Sequence, residues 1–551
     1  MPVQPPAVMP PPSIRRRRLL QYLGAVGSGA LGTFSATRIV ADSAKFGLPE
    51  GDLCRTPSQF DVPLLVPRID GLMGRLVVGD RPIVLRAAPR GRSGTLAFAA
   101  RENGRDYLDP TLVVRQGARL RLRLVNRIDE PTVVHWHGLT IDTANDGNGE
   151  TLIDRGKSFE YDFTVRNRAG LYWYHPHPHG ATAAQTYRGL FGLLAVEDDD
   201  ETALRHALAL VPGETEIPLV LHDRRAAAPG RYSPSADDLL HGWYGDEVRV
   251  NFTSRPFLDV TARYYRFRVL NASNARIFRL ALRRDDGNSL PFQLLGTDGG
   301  LLQRPIRVEE TFLAPAERID ILVDFSSIAN GSFALLESRT FDPMHAELQP
   351  RREGDAPTPG AHAHARAPGP GSMAASSNDG AAFAMLKFRV RGRGGARVPV
   401  PVQLSAPAVV PVPSTDERPL RLGFAKGRWR INDRVYDMNA TPIVVARDAV
   451  ETWLIRNYHT SMPHAMHLHG FQFRVLERET GPDQLASLAL DQQGRFATDM
   501  GWKDTVLVWP GESVRIAIDF RHPFAGEQTY PFHCHNLEHE DGGMMLRVKV
   551  G

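Results

Sequence analysis

Eleven residues near the C-terminal end, Pro510-Gly511-Glu512-Ser513-Val514-Arg515-Ile516-Ala517-Ile518-Asp519-Phe520, align without a gap on Pro315-Ala316-Glu317-Arg318-Ile319-Asp320-Ile321-Leu322-Val323-Asp324-Phe325. A weaker third copy is Gly156-Lys157-Ser158-Phe159-Glu160-Tyr161-Asp162-Phe163. Each copy reads as a turn followed by a strand. One unit used three times along 551 residues points to three related domains rather than one large fold. Arg119 to Leu124 and Tyr265 to Val269 alternate strictly between basic and apolar or aromatic side chains, and helical periodicity is scarce. With 49 Gly and 42 Pro to make turns, the expectation is an all-β chain of sandwich or barrel domains. The expected units are residues 46–200, 201–344 and 391–551, with 345–390 a flexible linker and the start of the third unit. The stretch 345–382 is rich in Ala, Pro, Gly and Ser and holds His345, His362, His364 and Met373.

The first and third copies continue alike. Tyr172-Trp173-Tyr174-His175-Pro176-His177 matches Tyr530-Pro531-Phe532-His533-Cys534-His535, and His135-Trp136-His137-Gly138 matches His467-Leu468-His469-Gly470. The middle copy carries no such histidines. The chemistry is therefore expected in the first and third units, with the second a spacer that orients them.

Ten of the 19 histidines fall in four short clusters: His135/His137, His175/His177, His464/His467/His469 and His533/His535/His539. Side chains at i and i+2 of a strand share one face, about 7 Å apart. The pairs 135/137, 175/177, 467/469 and 533/535 can thus present eight imidazoles to a group of adjacent metal ions. Cys534 lies between two of these and points to the opposite face. His464, three residues before His467, also points away. With His539 and Met544 just beyond the strand, they make a second ligand set of two imidazoles, a thiolate and a thioether, which is that of a blue-copper electron-transfer site. Zinc is the alternative metal, but the His-Glu-x-x-His pattern of zinc proteases is absent. In His533-Cys534-His535 the cysteine serves one site and its covalent neighbours serve the other, so an electron can pass between sites through a few bonds.

These motifs, together with the run His535-Asn536-Leu537-Glu538-His539-Glu540-Asp541-Gly542-Gly543-Met544, resemble the bacterial multicopper oxidases, in particular three-domain periplasmic laccases and copper-efflux oxidases. The resemblance spans roughly residues 60–551. It implies three cupredoxin-like Greek-key domains and four copper ions. The type 1 copper would be held by His464, Cys534 and His539 with Met544 axial, and the type 2 copper by His135 and His467. The type 3 pair would be held by His137, His175 and His535 on one ion and by His177, His469 and His533 on the other. Two acids that feed protons to bound oxygen fall at Asp146 and Glu540. His179 matches no ligand position and reads as structural. The implied activity is one-electron oxidation of a small donor coupled to four-electron reduction of dioxygen to water.

Among donors, relatives that oxidise cuprous ion carry an acid and methionines shortly before the position of His464, and a methionine-rich insert. Here Met462 and Met466 are present, but Thr460 and Ser461 precede them, and the linker holds Met373 alone. Phenolic and aromatic-amine donors are therefore expected, reaching the type 1 copper through an exposed edge of His464, with a cuprous or ferrous oxidase as the alternative. A copper-free cell-division protein of the same fold and a two-domain nitrite reductase fit less well, because all ten histidines and Cys534 are present.

The remaining features concern location. Ser13-Ile14-Arg15-Arg16-Arg17-Arg18-Leu19-Leu20-Gln21 resembles a twin-arginine export signal, and the uncharged segment Leu19 to Thr37 is too rich in Gly and Ser for a good membrane helix. Cleavage between 36 and 46 would leave a periplasmic or secreted protein with no membrane span, and the export machinery as a partner. The net charge of +4, part of it in that arginine run, gives no case for nucleic acid. Two cysteines exclude a disulfide scaffold, and Cys54 reads as a free thiol.

Overall fold

The computed structural model describes residues 60–345, 379–394, 398–407, 409, 412 and 416–551. The export signal, Cys54, and His362, His364 and Met373 lie outside the described residues. Among these residues six sheets form three pairs, each closed by its own stretch of chain. The first pair spans Gly71 to Glu197, the second Glu216 to Arg393, and the third Arg418 to Val550.

The three repeat copies occupy equivalent places. Strands Ser158–Thr164, Arg318–Asp324 and Ser513–Asp519 each lie antiparallel to an equivalent neighbour, Arg119–Asn126, Tyr264–Asn271 and Val450–Asn457 in turn; the first is a sheet edge, and the other two also pair with Phe292–Thr297 and Phe473–Glu479. Each neighbour in turn pairs in parallel with an earlier strand, Ile83–Arg90, Glu216–Arg224 or Arg418–Ala425. Parallel neighbours cannot be joined by a hairpin, so the chain must cross between sheets each time, as in Greek-key cupredoxin-like domains. Each pair encloses its own apolar core.

The alternation is obeyed where one face meets water. Leu120, Leu122 and Leu124 are buried while Arg119 and Arg123 are exposed. It is not obeyed in Tyr264–Asn271, where Arg266 and Arg268 are buried too. Helix Asp199–Ala207 brings Glu201 over that face, and Arg266 binds Glu201 and Asp320 at 3.0 and 2.8 Å. An alternating strand reports that its two faces differ, not that one is wet.

Strand Phe383–Arg393 differs from expectation in its place. It pairs with Phe257–Ala262 and Phe333–Ser338, in the second pair of sheets, rather than opening the third unit. Alternation identifies a strand without naming its partners.

Candidate metal centre

Strand Val134–His137 lies antiparallel to Gly170–Pro176, with His135 opposite His175. In the third unit His464–Leu468 lies antiparallel to Gln528–Cys534, with His467 opposite His533. The two strand pairs face each other across the interface between units. His135 stacks on His469 at 3.6 Å between centroids, and His137 on His467 at 3.7 Å. Glycine after each first pair makes this approach possible. A Cβ on Gly138 would sit 2.4 Å from the Asp504 carboxylate, and one on Gly470 would sit 2.5 Å from the Tyr530 ring; both residues also have positive φ.

All eight imidazoles are at most 1% exposed. His177, His469 and His533 aim Nε2 at one point, with 3.1 Å between His469 and His533 and 3.5 Å between His177 and His533. His137 Nδ1 lies 3.4 Å from His175 Nε2, and the His535 ring is within 5.3 Å of both of theirs. His135 and His467 donate Nδ1–H to the carbonyls of Asp146 and Asp504 at 2.9 and 2.8 Å, which leaves Nε2 of each as a lone-pair donor. Burial, reinforced by the neighbouring imidazoles, holds His137, His467 and His469 far below the usual histidine range. Burial brings His535 down to about 3. Neutral imidazole is the form that ligates a metal.

On the opposite face of the same strand, Cys534 Sγ is 3.5 Å from His464 Nδ1 and 3.6 Å from His539 Nδ1. Burial pushes the thiol up to about 12, so metal binding must displace its proton. Met544 is fully buried beside it, with its carbonyl accepting from Cys534 N and its N–H donating to the His539 carbonyl. His464 has no exposed edge, contrary to the sequence reading. It is 0% exposed, and its Nε2 faces Ser461 Oγ at 3.2 Å. Strand parity tells which way a side chain points and not what covers it.

The two acids flank the eight-imidazole cluster. Asp146 ends a one-turn helix capped by Asp142, and its Oδ2 accepts from His469 Nδ1 at 2.9 Å. Burial pushes its carboxyl up. Glu540 lies on helix Leu537–Asp541, with Oε1 3.3 Å from His177 Nε2 and Oε2 3.2 Å from His533 Nδ1. His179 packs against Tyr436, with ring centroids 4.5 Å apart and 5.9 Å from the His177 ring.

Multicopper oxidase family models match residues 99–201 and 411–551. A laccase of Bacillus subtilis is 31% identical over 453 residues, covering 76% of this chain and 79% of its own. A multicopper oxidase of Staphylococcus aureus is 29% identical over 462 residues, covering 83% and 84%. The crystal structure of a multicopper oxidase from the hyperthermophile Aquifex aeolicus matches at 32% identity and TM-score 0.75, covering 89% of this chain and 99% of that one. This chain belongs to the multicopper oxidase family. As a multicopper oxidase it is a copper-dependent oxidoreductase that uses dioxygen as acceptor.

The pocket fits the family's metal. His135 Nε2, His467 Nε2 and both His535 nitrogens are buried with no hydrogen-bond partner among the described residues. Such atoms cost free energy unless something coordinates them. The triads His177/His469/His533 and His464/Cys534/His539 each gather their ligand atoms within 4.8 Å. The second set pairs soft sulfur with imidazole, which favours copper.

One residue at this multicopper oxidase's centre was not found from the sequence. Asp504 accepts from His137 Nε2 at 3.0 Å, and Arg318 of the middle unit clamps it at 2.7 and 2.6 Å. The repeat held a signal: Ser158 and Ser513 stand where the middle copy has Arg318. The spacer therefore reaches into the centre. Arg318 and Asp504 are both essentially unexposed. Removing one partner of a buried pair leaves the other charge uncompensated, so Arg318→Ala should cost about 3–5 kcal/mol. The check is the thermal transition of the copper-free protein, and a transition unchanged from the parent would show that the pair does not join the units.

Proposed function

We propose that this chain is a laccase-like oxidase, taking single electrons from phenolic and aromatic-amine donors and passing four of them to dioxygen to form water. The proposed ligands are His464, Cys534, His539 and Met544 for a type 1 copper, and His135 and His467 for a type 2 copper. For the type 3 pair they are His137, His175 and His535 on one ion and His177, His469 and His533 on the other. Copper, when bound, supplies the one-electron steps and the affinity for dioxygen. The protein contributes the rest. Carbonyls of Asp146 and Asp504 fix the tautomers of His135 and His467. Asp146 and Glu540 stand where protons are consumed. The backbone between Cys534 and its neighbours joins the two sites.

The donor class rests on one observation. Met462 and Met466 are 3% and 0% exposed, packed in the core of the third unit. Neither thioether is presented to a metal ion arriving from outside. A phenol needs only apolar contact and outer-sphere transfer. One cluster favours a cuprous or ferrous donor instead. His241 and His345 lie 5.2 Å apart, with Asp237 3.0 Å from His241 and Asp379 3.5 Å from His345. The comparison to make is kcat/KM for a methoxyphenol against cuprous ion. We expect the phenol to be the better substrate. A strong preference for cuprous ion that disappears in His241→Ala and His345→Ala would put the second reading first.

We also propose export through the twin-arginine route to the periplasm or beyond. No helix among the described residues is long and apolar enough to cross a membrane. Replacing Arg15 to Arg18 by lysine should retain the protein in the cytoplasm, whereas undiminished export would point to the general secretory route.

A further inference from the structure

Neither imidazole beside Cys534 meets solvent. His464 is 0% and His539 1% exposed. His539 Nε2 donates to the Leu240 carbonyl at 2.9 Å, and Leu240 comes from the middle unit. A donor molecule therefore cannot touch either ring edge directly among the described residues. What does touch both is Trp429. Its indole packs on His464 at 4.7 Å and on His539 at 5.1 Å between centroids. Its Nε1 donates to the same Leu240 carbonyl at 2.8 Å, so one oxygen holds the indole and His539 together.

The indole also leads outward. Phe424 lies directly opposite Trp429 in the hairpin, with rings 5.0 Å apart, and is 39% exposed. The hairpin turn is Lys426-Gly427, both with positive φ, the two-residue turn that fixes register tightly. Phe424, Trp429 and the two imidazoles thus form a continuous run of packed rings from the surface to the ligands of the Cys534 site. Electron transfer weakens steeply with distance and passes better through packed π systems than across gaps.

We propose that Trp429 is the electron-entry residue, with Phe424 the surface on which an aromatic donor stacks. The donor gives up one electron, which crosses the indole without residing there to its acceptor, the copper that His464, Cys534 and His539 would hold and that would supply the one-electron reduction. A phenol's proton leaves to water as the neutral phenoxyl radical forms. The inference deepens the laccase-like reading and rests on it for the identity of the donor.

The first test uses the copper-free protein with 15N-labelled indoles. Methoxybenzene, a redox-inert stand-in, should shift the Trp429 Nε1–H signal, and Phe424→Ala should abolish the shift. In the copper-loaded protein without oxygen, 2,6-dimethoxyphenol should bleach the blue band. We expect Trp429→Leu to bleach about tenfold slower or more, while Trp429→Phe, which keeps a ring, stays within about threefold of the parent. The position of the blue band and the reoxidation of reduced protein by oxygen should be unchanged in both. The same ratios are read with hexacyanoferrate(II), which shares no recognition with a phenol. If phenol fails to reduce the parent but hexacyanoferrate(II) succeeds, the donor reading falls and the Trp429 ratio is still read. If Trp429→Leu keeps its blue band and bleaches at the parental rate with both, if Trp429→Phe bleaches as slowly as Trp429→Leu, or if methoxybenzene leaves the Trp429 signal in place, the proposal is overturned.

Discussion

Cys534→Ser should give a colourless protein that no longer oxidises any donor, yet keeps most of its other copper. The expectation follows from strand parity. Cys534 faces His464 and His539, while its neighbours His533 and His535 face the eight-imidazole cluster. Serine is close in size, so the strand and its pairing to Met545 through His533 should survive. What is lost is the thiolate, the source of both the intense blue absorption and the strong ligation. Without it no electron reaches the other site, and turnover should fall to background. Elemental analysis should find copper reduced by about one ion per chain. A blue Cys534→Ser protein would contradict the ligand assignment, and one that had lost all its copper would contradict the separation of the two sites.

The second large effect is expected at the acids. Making two waters from dioxygen consumes four protons in a pocket closed to solvent, and a positioned acid typically contributes roughly 10²–10⁴-fold to such a step. Asp146→Asn keeps an acceptor for His469 Nδ1–H, and Glu540→Gln keeps a polar group of the same size beside His177 and His533, but neither can give up a proton. Each should slow reoxidation of the reduced protein by oxygen by about a hundredfold or more. Bleaching of the blue band by donor should hardly change, because both acids lie on the far side of Cys534. The alanine variants should be slower still and hold copper less well, since they also release the imidazoles. Reoxidation at the parental rate in both Asp146→Asn and Glu540→Gln would remove these residues from proton delivery.

Much of this centre was legible because strands make spacing meaningful. A pair at i and i+2 must share a face, so spacing alone sorts the eight imidazoles from the opposed Cys534. The internal repeat, with histidines in the outer copies only, also located the chemistry between two distant parts of the chain. Contacts across units were not legible. Asp504 stands in no histidine motif, and its part emerges only because Arg318 crosses from the middle unit to hold it. The cover over His464 and His539 comes from Trp429 and Leu240, neither of which is near a ligand in sequence. Parity likewise could not say that Arg266 and Arg268 are buried, because Glu201, the acid they share, arrives on a separate helix.

The centre is contributed in equal halves by opposite ends of the polypeptide, His135 to His177 and His467 to His535. The triad His177/His469/His533 draws on both halves, so a nascent chain cannot complete it until its last strands have been synthesised and have docked on the first. Copper then acts as a seal on a finished molecule. Metal bound by ligands from both halves would help to keep those two stretches of chain together.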